Sequence, residues 1–467
     1  MPHHSDLHYL DISELAVLIG SRELSSREIT LMQLERIASV DRTLNSYAST
    51  MRERALEDAE RADREIASGG LRGPLHGVPI AIKDICWTKN HPTSSGMQVH
   101  KQFLPDQDAT VVSRLRAAGA VILGKTQLTE GAYSDYHPSI EPPKNPWNSD
   151  YWPGISSSGA AAATAAGLCF GGVASDTGGS IRWPCAANGT TGIKPTWGRV
   201  SRHGVFELAA SLDHIGTIAR SAIDAALLLQ AIAGVDPLDP TTATVAVPNY
   251  LSSANDGLCG IRIGIDTTWN SADVDAEVAQ MMTAALDAFR ALGAEIVDIR
   301  VPNSERIIHD WVTNCAIEAA TAHTETFAQR RNDYGSVLAS VIEHGQTTTA
   351  IEYQRILLRR MEFRGRVDAL FSHIDLLLTP VQPLPPLTLA AIQTLGTQPQ
   401  LIAKLQRYTC PFNMSGHPSI TLPAGASEAG MPMALQLIGA GFREEMLVRA
   451  GAAFQSTTRW HRRHPCA

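Results

Sequence analysis

Apolar positions in the first part of the chain recur at helical spacing. Asp11-x-x-Glu14 and Ser25-x-x-Glu28 read as capping boxes. Spaced apolar residues follow each: Leu15, Leu18 and Ile19 after the first, Leu34, Ile37 and Ala38 after the second. From Met51 to Ser68 charged residues dominate, the pattern of a solvated helix, and Gly69-Gly70 ends it. Residues 9–68 therefore read as helices. Past residue 71 the pattern changes. Gly77–Ile85 is a short apolar run holding one lysine, Ala120–Lys125 is a second, and a helix near 109–118 lies between them. This strand-helix-strand rhythm predicts parallel pairing with right-handed crossovers.

The same rhythm returns later. Residues 168–176 read as a strand and 222–233 as a helix; strands at 261–265 and 295–299 flank a helix at 276–292. Residues 303–370 are mostly helical in pattern. Asp375–Pro380 reads as a buried strand running into a proline-rich loop, and strands at 419–422 and 433–439 precede a last amphipathic helix at 444–454. With no internal repeat and no Gly/Ser linker, residues 1–467 read as a single α/β domain, with cores at 71–300 and 371–467.

Composition narrows the function classes. A net charge of −8 gives no reason to expect binding to nucleic acid or an anionic membrane, which needs a basic surface, although local basic clusters such as Arg359-Arg360 are compatible with it. The seven cysteines are scattered, odd in number and never in a C-x-x-C arrangement. That argues against a disulfide framework or a zinc site and for a reducing compartment. The opening MPHHSDLHYLDISE lacks a basic region followed by an apolar stretch, so it shows no secretory leader. The segment from about Gly159 to Ala174 is nearly free of polar side chains, but is too short and too rich in Gly and Ala to span a membrane. The expectation is a cytoplasmic protein.

The candidate chemistry lies between Pro153 and Pro195. Ser156, Ser157 and Ser158 open an Ala/Gly segment, and Ser180 follows Gly178-Gly179. A serine on a Gly-rich turn suits an exposed nucleophile, and successive N–H groups there can converge on an oxyanion. A Gly/Ser loop with nothing bound is the plain alternative. Lys83 ends the first apolar run. Such a lysine usually snorkels to the surface; if desolvated, its pKa falls and it becomes a usable base. A Ser–Lys pair is a known substitute for Ser–His–Asp. Arg182 is placed to brace the turn through Asp176. Cys185 has no Gly-rich turn or evident base and reads as a buried structural thiol. His137, before a proline, reads as a loop residue. Tyr133, Tyr136, Trp147, Tyr151 and Trp152 cluster just before the serines.

Five stretches together resemble the amidase signature family: GVPIAIKD at 77–84, KNPW at 144–147, PGISSSG at 153–159, SDTGGSIRWP at 175–184 and GIKPTWGRVS at 192–201. Ser211–Gly216 and the C-terminal segments match as well, so nearly the whole chain is covered. The spacing from Ser156 to Ser180, 180 − 156 = 24 residues, also fits. The resemblance implies one large domain with a mixed, largely parallel central sheet covered on both sides by helices, residues 303–370 being the variable part that shapes the substrate entrance. It implies a Ser–cisSer–Lys triad: Ser180 as nucleophile, Ser156 as relay after a cis Ile155–Ser156 bond, and Lys83 as base. Backbone N–H groups of Thr177, Gly178, Gly179 and Ser180 would hold the oxyanion, with Ser157, Asp176 and Arg182 supporting the loop. Ala132, Tyr133, Tyr136 and Ile155 would border the acyl pocket, and Lys125 would be structural. Two glycines of the family's Gly-Gly-Ser-Ser-Gly-Gly loop are replaced here, in Gly154-Ile155-Ser156-Ser157-Ser158-Gly159.

The implied partner is a small-molecule amide or carbamate, with no metal, cofactor, nucleic acid or membrane; a homodimer is left open. Three readings stand. One is a hydrolase of amides or anilides, extending to carbamates, urethanes or esters, through an acyl-enzyme. Another is the glutaminase (A) subunit of a tRNA-dependent amidotransferase, a class that typically carries Gln where this chain has Trp183. The last is a non-catalytic binding protein on the same scaffold.

Overall fold

A computed structural model gives the fold over residues 7–393 and 398–466; the first six residues of the opening stretch lie outside the described part. Its strands are β1 (Tyr47–Thr50), β2 (Pro79–Lys83), β3 (Val121–Thr126), β4 (Gly171–Asp176), β5 (Thr191–Lys194), β6 (His214–Ala219), β7 (Arg262–Ile265), β8 (Glu295–Asp298), β9 (Leu376–Pro380), β10 (Ser419–Ala426) and β11 (Pro432–Gly439). They form one sheet in the order β1-β3-β2-β4-β6-β5-β10-β11-β9-β7-β8. β2, β3, β4, β6, β9 and β11 are buried along their whole length, as strands covered on both faces must be. The chain is a single α/β domain built on a large mixed sheet flanked by helices.

The balance of pairings differs from expectation. Among the described residues, parallel pairs are confined to two flanks, β3/β2/β4 and β9/β7/β8. The other six pairs, among them β4/β6, β6/β5, β5/β10 and β10/β11, are antiparallel. Parallel neighbours need a long crossover, whereas antiparallel ones can be joined by a tight turn. Helices Thr110–Ala117 and Ala276–Ala291 supply crossovers between β2 and β3 and between β7 and β8. β10 and β11 are joined by a turn in which Ser427 N–H donates to the Met431 carbonyl at 2.8 Å.

The N-terminal region follows its capping signals. Glu28 N–H donates to Ser25 Oγ at 3.1 Å while Ser25 N–H donates to Glu28 Oε2 at 2.8 Å, which starts helix Ser26–Leu44. Asp11 N–H donates to Glu14 Oε2 at 2.7 Å at the start of helix Ile12–Gly20. Helix Arg52–Ala67 is more than a solvated one: Ala55, Ala59, Ala62 and Ile66 make a buried stripe among its charges. Residues 47–50, read as part of a helical region, are instead the edge strand β1. Four residues between two long helices are too few for a period to show.

One feature of this topology positions the site. β2 and β4 are parallel neighbours, with Ala81 opposite Gly172 and Ile82 opposite Val173. Their carboxyl ends, at Lys83 and at Ser175-Asp176, therefore meet at one edge of the sheet.

Candidate active site

Lys83 is fully buried. Its Nζ lies 2.8 Å from Ser156 Oγ, 2.8 Å from Ser157 Oγ and 2.9 Å from Ser175 Oγ. Burial penalises the ammonium form and lowers the pKa to about 7, against the smaller opposing pull of Cys86, Asp176 and Asp213. The snorkelling alternative is thereby excluded.

Two loops meet above this lysine. The Ile155–Ser156 peptide bond is cis. Just before it, Gly154 has φ +75°, and a Cβ there would sit 2.5 Å from Pro184 Cα. Glycine is what lets the serine loop lie against helix Arg182–Asn188, which follows Ser180. Ser157 ties the loops together: its Oγ–H donates to the Ser175 carbonyl at 3.1 Å, and its N–H to the Ser180 carbonyl at 3.3 Å.

The Ser180 turn is held by a buried ion pair. Arg182 Nη2 donates to Asp176 Oδ1 at 2.9 Å, Nε to Oδ2 at 3.0 Å, and Nη1 to the Thr409 carbonyl at 2.9 Å. Asn413 Nδ2 donates to Asp176 Oδ1 at 2.9 Å. Burial alone would raise the Asp176 carboxyl, but Arg182, Lys194 and Asn413 hold it well below the usual carboxylate range. This ionised group takes the Gly179 N–H at 2.8 Å and the Ile181 N–H at 3.0 Å. Gly179 thus differs from expectation. Its N–H is committed to Asp176, which leaves those of Thr177, Gly178 and Ser180 as oxyanion candidates.

Two further groups fix the turn. Thr177 Oγ1–H donates to Asp213 Oδ1 at 2.6 Å, and Asp213 also takes the N–H groups of Leu208 and Ala209. Burial raises the Asp213 carboxyl to about 7. Trp311, on helix Glu305–Ala322, donates its ring N–H to the Thr177 carbonyl at 2.8 Å. Its ring packs so closely that a Cβ on Gly178 would lie 2.3 Å from Trp311 Cζ2.

Ser180 opens onto a cavity of about 760 Å³. Of the four residues expected at the pocket, Ala132, Tyr133 and Ile155 line it, and Thr177 and Gly178 from the expected oxyanion set lie on its wall as well. Tyr136 does not: its hydroxyl lies 2.6 Å from Ser158 Oγ, turned toward the buried helix Ser158–Ala165. Sequence reasoning left out much of the wall, namely Trp152, Trp183 and Trp311, Val337 and Val341, and Ile402 and Leu405. Trp152 and Trp183 carried a visible signal, since one lies in the aromatic cluster and the other three positions after Ser180. Trp311 and the aliphatic residues sit on helices whose apolar positions look like ordinary packing.

The remaining candidates are structural in their contacts. Lys125 is buried, 3.1 Å from Asp84 Oδ1, and donates to the Cys86 carbonyl and Thr93 Oγ1. Cys185 is buried, and burial pushes its thiol up to about 12. His137 Nδ1 meets Ser139 Oγ within its own loop. Among the described residues no group of three or more His, Cys, Asp or Glu is arranged to hold a metal ion, and no helix is long and apolar enough to cross a membrane.

A family model described as Amidase matches residues 28–448, and the chain belongs to that amidase family. It is 47% identical to the provisionally named amidase AmiD of Mycobacterium tuberculosis, over 98% of this chain and 96% of that protein. It is also 36% identical to the (A) subunit of the glutamyl-tRNA(Gln) amidotransferase of Geobacter metallireducens, over 98% and 99% of the two chains. Among solved structures, the native peptide amidase from Stenotrophomonas maltophilia superposes with a TM-score of 0.83 at 31% identity, covering 96% of this chain and 97% of that one. The protein is accordingly a hydrolase of amide C–N bonds.

Proposed function

We propose that the protein hydrolyses small-molecule carboxamides through an acyl-enzyme on Ser180. The observation that carries this is Lys83, buried with its amine among three serine hydroxyls and its pKa lowered to about 7, so that the neutral amine is accessible at physiological pH. The hydrogen-bond inventory gives those hydroxyls different roles. Ser157 spends its proton on the Ser175 carbonyl, so toward Lys83 it can only accept. Ser156 keeps its proton free for the lysine lone pair. In the reaction Lys83 takes that proton and Ser156 takes one from Ser180. Ser180 Oγ then attacks the carbonyl carbon. The developing oxyanion falls to the N–H groups of Thr177, Gly178 and Ser180. The relay returns its proton to the leaving amine, and water, activated by the same route, releases the acid.

The cavity favours apolar acyl groups. Its wall is built mainly from Trp, Tyr, Ile, Leu and Val, and aromatic contacts contribute roughly 0.5–1.5 kcal/mol beyond area burial. Aryl and alkyl amides, anilides and carbamates suit it better than free glutamine, whose α-carboxylate finds no basic side chain among the described residues of the wall. That separates the present reading from a glutaminase subunit. Incubation with a fluorophosphonate followed by mass spectrometry tests it: the adduct is expected on Ser180, with hydrolysis of a simple anilide lost in parallel. An adduct on Cys185, or anilide hydrolysis that survives Ser180→Ala, overturns the assignment.

A further inference from the structure

Asp135 stands out in this cavity. Of the described residues on its wall, Asp135 is the one acidic side chain, and none is basic; the rest are aromatic, aliphatic or neutral polar. Its carboxylate forms no hydrogen bond or ion pair among the described residues, and partial burial raises its pKa. The backbone that carries it is anchored. The Asp135 carbonyl accepts the Glu130 N–H at 2.7 Å, Thr129 Oγ1–H donates to the Tyr133 carbonyl at 2.7 Å, and the Glu130 carboxylate takes the Gly335 N–H at 3.0 Å. The backbone of Asp135 is therefore fixed on the wall of an apolar cavity, and the residue is exposed.

A neutral apolar substrate that fills the cavity strips water from this group and gives nothing back. Desolvating an unpaired carboxylate is unfavourable. A substrate with an ammonium group pairs with it and offsets that cost. We propose that Asp135 forms a cation subsite and that the preferred substrates are amides with an apolar body and an ammonium group. This rests on the function proposed above and names its substrate class.

Matched pairs of substrates test it. On the acyl side, the 4-nitroanilide of 5-aminopentanoic acid is compared with that of hexanoic acid, which replaces ammonium by methyl at equal length. On the amine side, the butanoyl amide of 4-(aminomethyl)aniline is compared with that of 4-ethylaniline. The cationic member of at least one pair is expected to have the higher kcat/KM by about tenfold, as befits a charge-assisted contact. Asp135→Asn is expected to abolish that preference by slowing the cationic member, while the neutral member, relieved of desolvating a carboxylate, is hydrolysed at least as fast as by the wild type, which also reports that the variant is folded. Added salt should shrink the preference in the wild type only. Hydrolysis of the neutral members with no cation preference in either pair overturns the subsite and leaves the proposed function standing. So does an Asp135→Asn variant that slows both members alike. Failure of every substrate, together with failure of Ser180 to label, overturns both.

Discussion

Two buried lysines on adjacent strands show how one residue type is put to opposite uses. Lys83 ends β2 and Lys125 lies near the end of β3; the register places Lys125 opposite Ile82 and Lys83 opposite Thr126. Both are fully buried. Lys125 has a carboxylate partner, Asp84, and two further acceptors. Its amine is therefore held by an opposite charge and two oxygens. Lys83 has three hydroxyls in contact and no carboxylate among them, so nothing near enough offsets desolvation of a charge. The pKa falls to about 7 and the amine becomes a base. Burial alone does not make a lysine reactive; burial among neutral partners does.

Each side of the contrast can be broken separately. The largest effect is expected from Lys83→Ala, which should lower kcat on an anilide by about 1000-fold in steady-state assays while the circular dichroism spectrum persists. Lys83→Arg should be nearly as poor, because a guanidinium does not deprotonate at working pH; an active arginine variant would refute the base role. Lys125→Met should do the reverse. Leaving Asp84 buried without its counter-ion is expected to cost about 3 kcal/mol in denaturant unfolding, with the surviving folded fraction still active.

A pH profile separates the two lysines more finely. The neutral amine is the active form, so kcat/KM should rise with pH through a midpoint near 7 and level off above it. Lys125→Met should leave that midpoint in place. The same depression makes the unfolded chain bind a proton that the native state lacks between about 7 and the ordinary lysine value near 10.4. Lys83 therefore contributes a stability that rises with pH across that window. The smallest effect concerns the cavity. Tyr133→Ala should reorder the preference among acyl groups more than it changes the rate on the smallest amide, as read from kcat/KM ratios. A common slowing of every substrate would make Tyr133 a packing residue only.

Much of this was legible in the chain because short-range signals carry it. Capping boxes, the apolar run ending in Lys83 and the Gly-flanked serines specify local geometry within a few residues. The illegible parts depend on contacts distant in sequence. That Asp176 captures the Gly179 N–H, and so takes it from the oxyanion site, follows from the path of a turn that Arg182, Asn413 and the Thr409 carbonyl hold in place. Trp311 reaches the Thr177 carbonyl from a helix more than a hundred residues away. Tyr136 shares an aromatic segment with Tyr133, yet its hydroxyl meets Ser158 while Tyr133 faces the cavity. The antiparallel centre of the sheet was hidden for a similar reason: β5 pairs with β10, some 230 residues later, and no local pattern announces the direction of that pairing.

Everything in the mechanism depends on Lys83 giving up its proton near neutral pH in the resting protein. The chain has seven lysines, few enough to follow each side-chain nitrogen by NMR after labelling with ¹⁵Nζ-lysine, the Lys83 signal being the one missing from Lys83→Arg. Burial also depresses Lys194, and Lys194→Arg assigns its signal separately. Titration of the Lys83 signal should give a midpoint near 7. A Lys83 signal that stays in the ammonium range up to pH 9 would contradict the account.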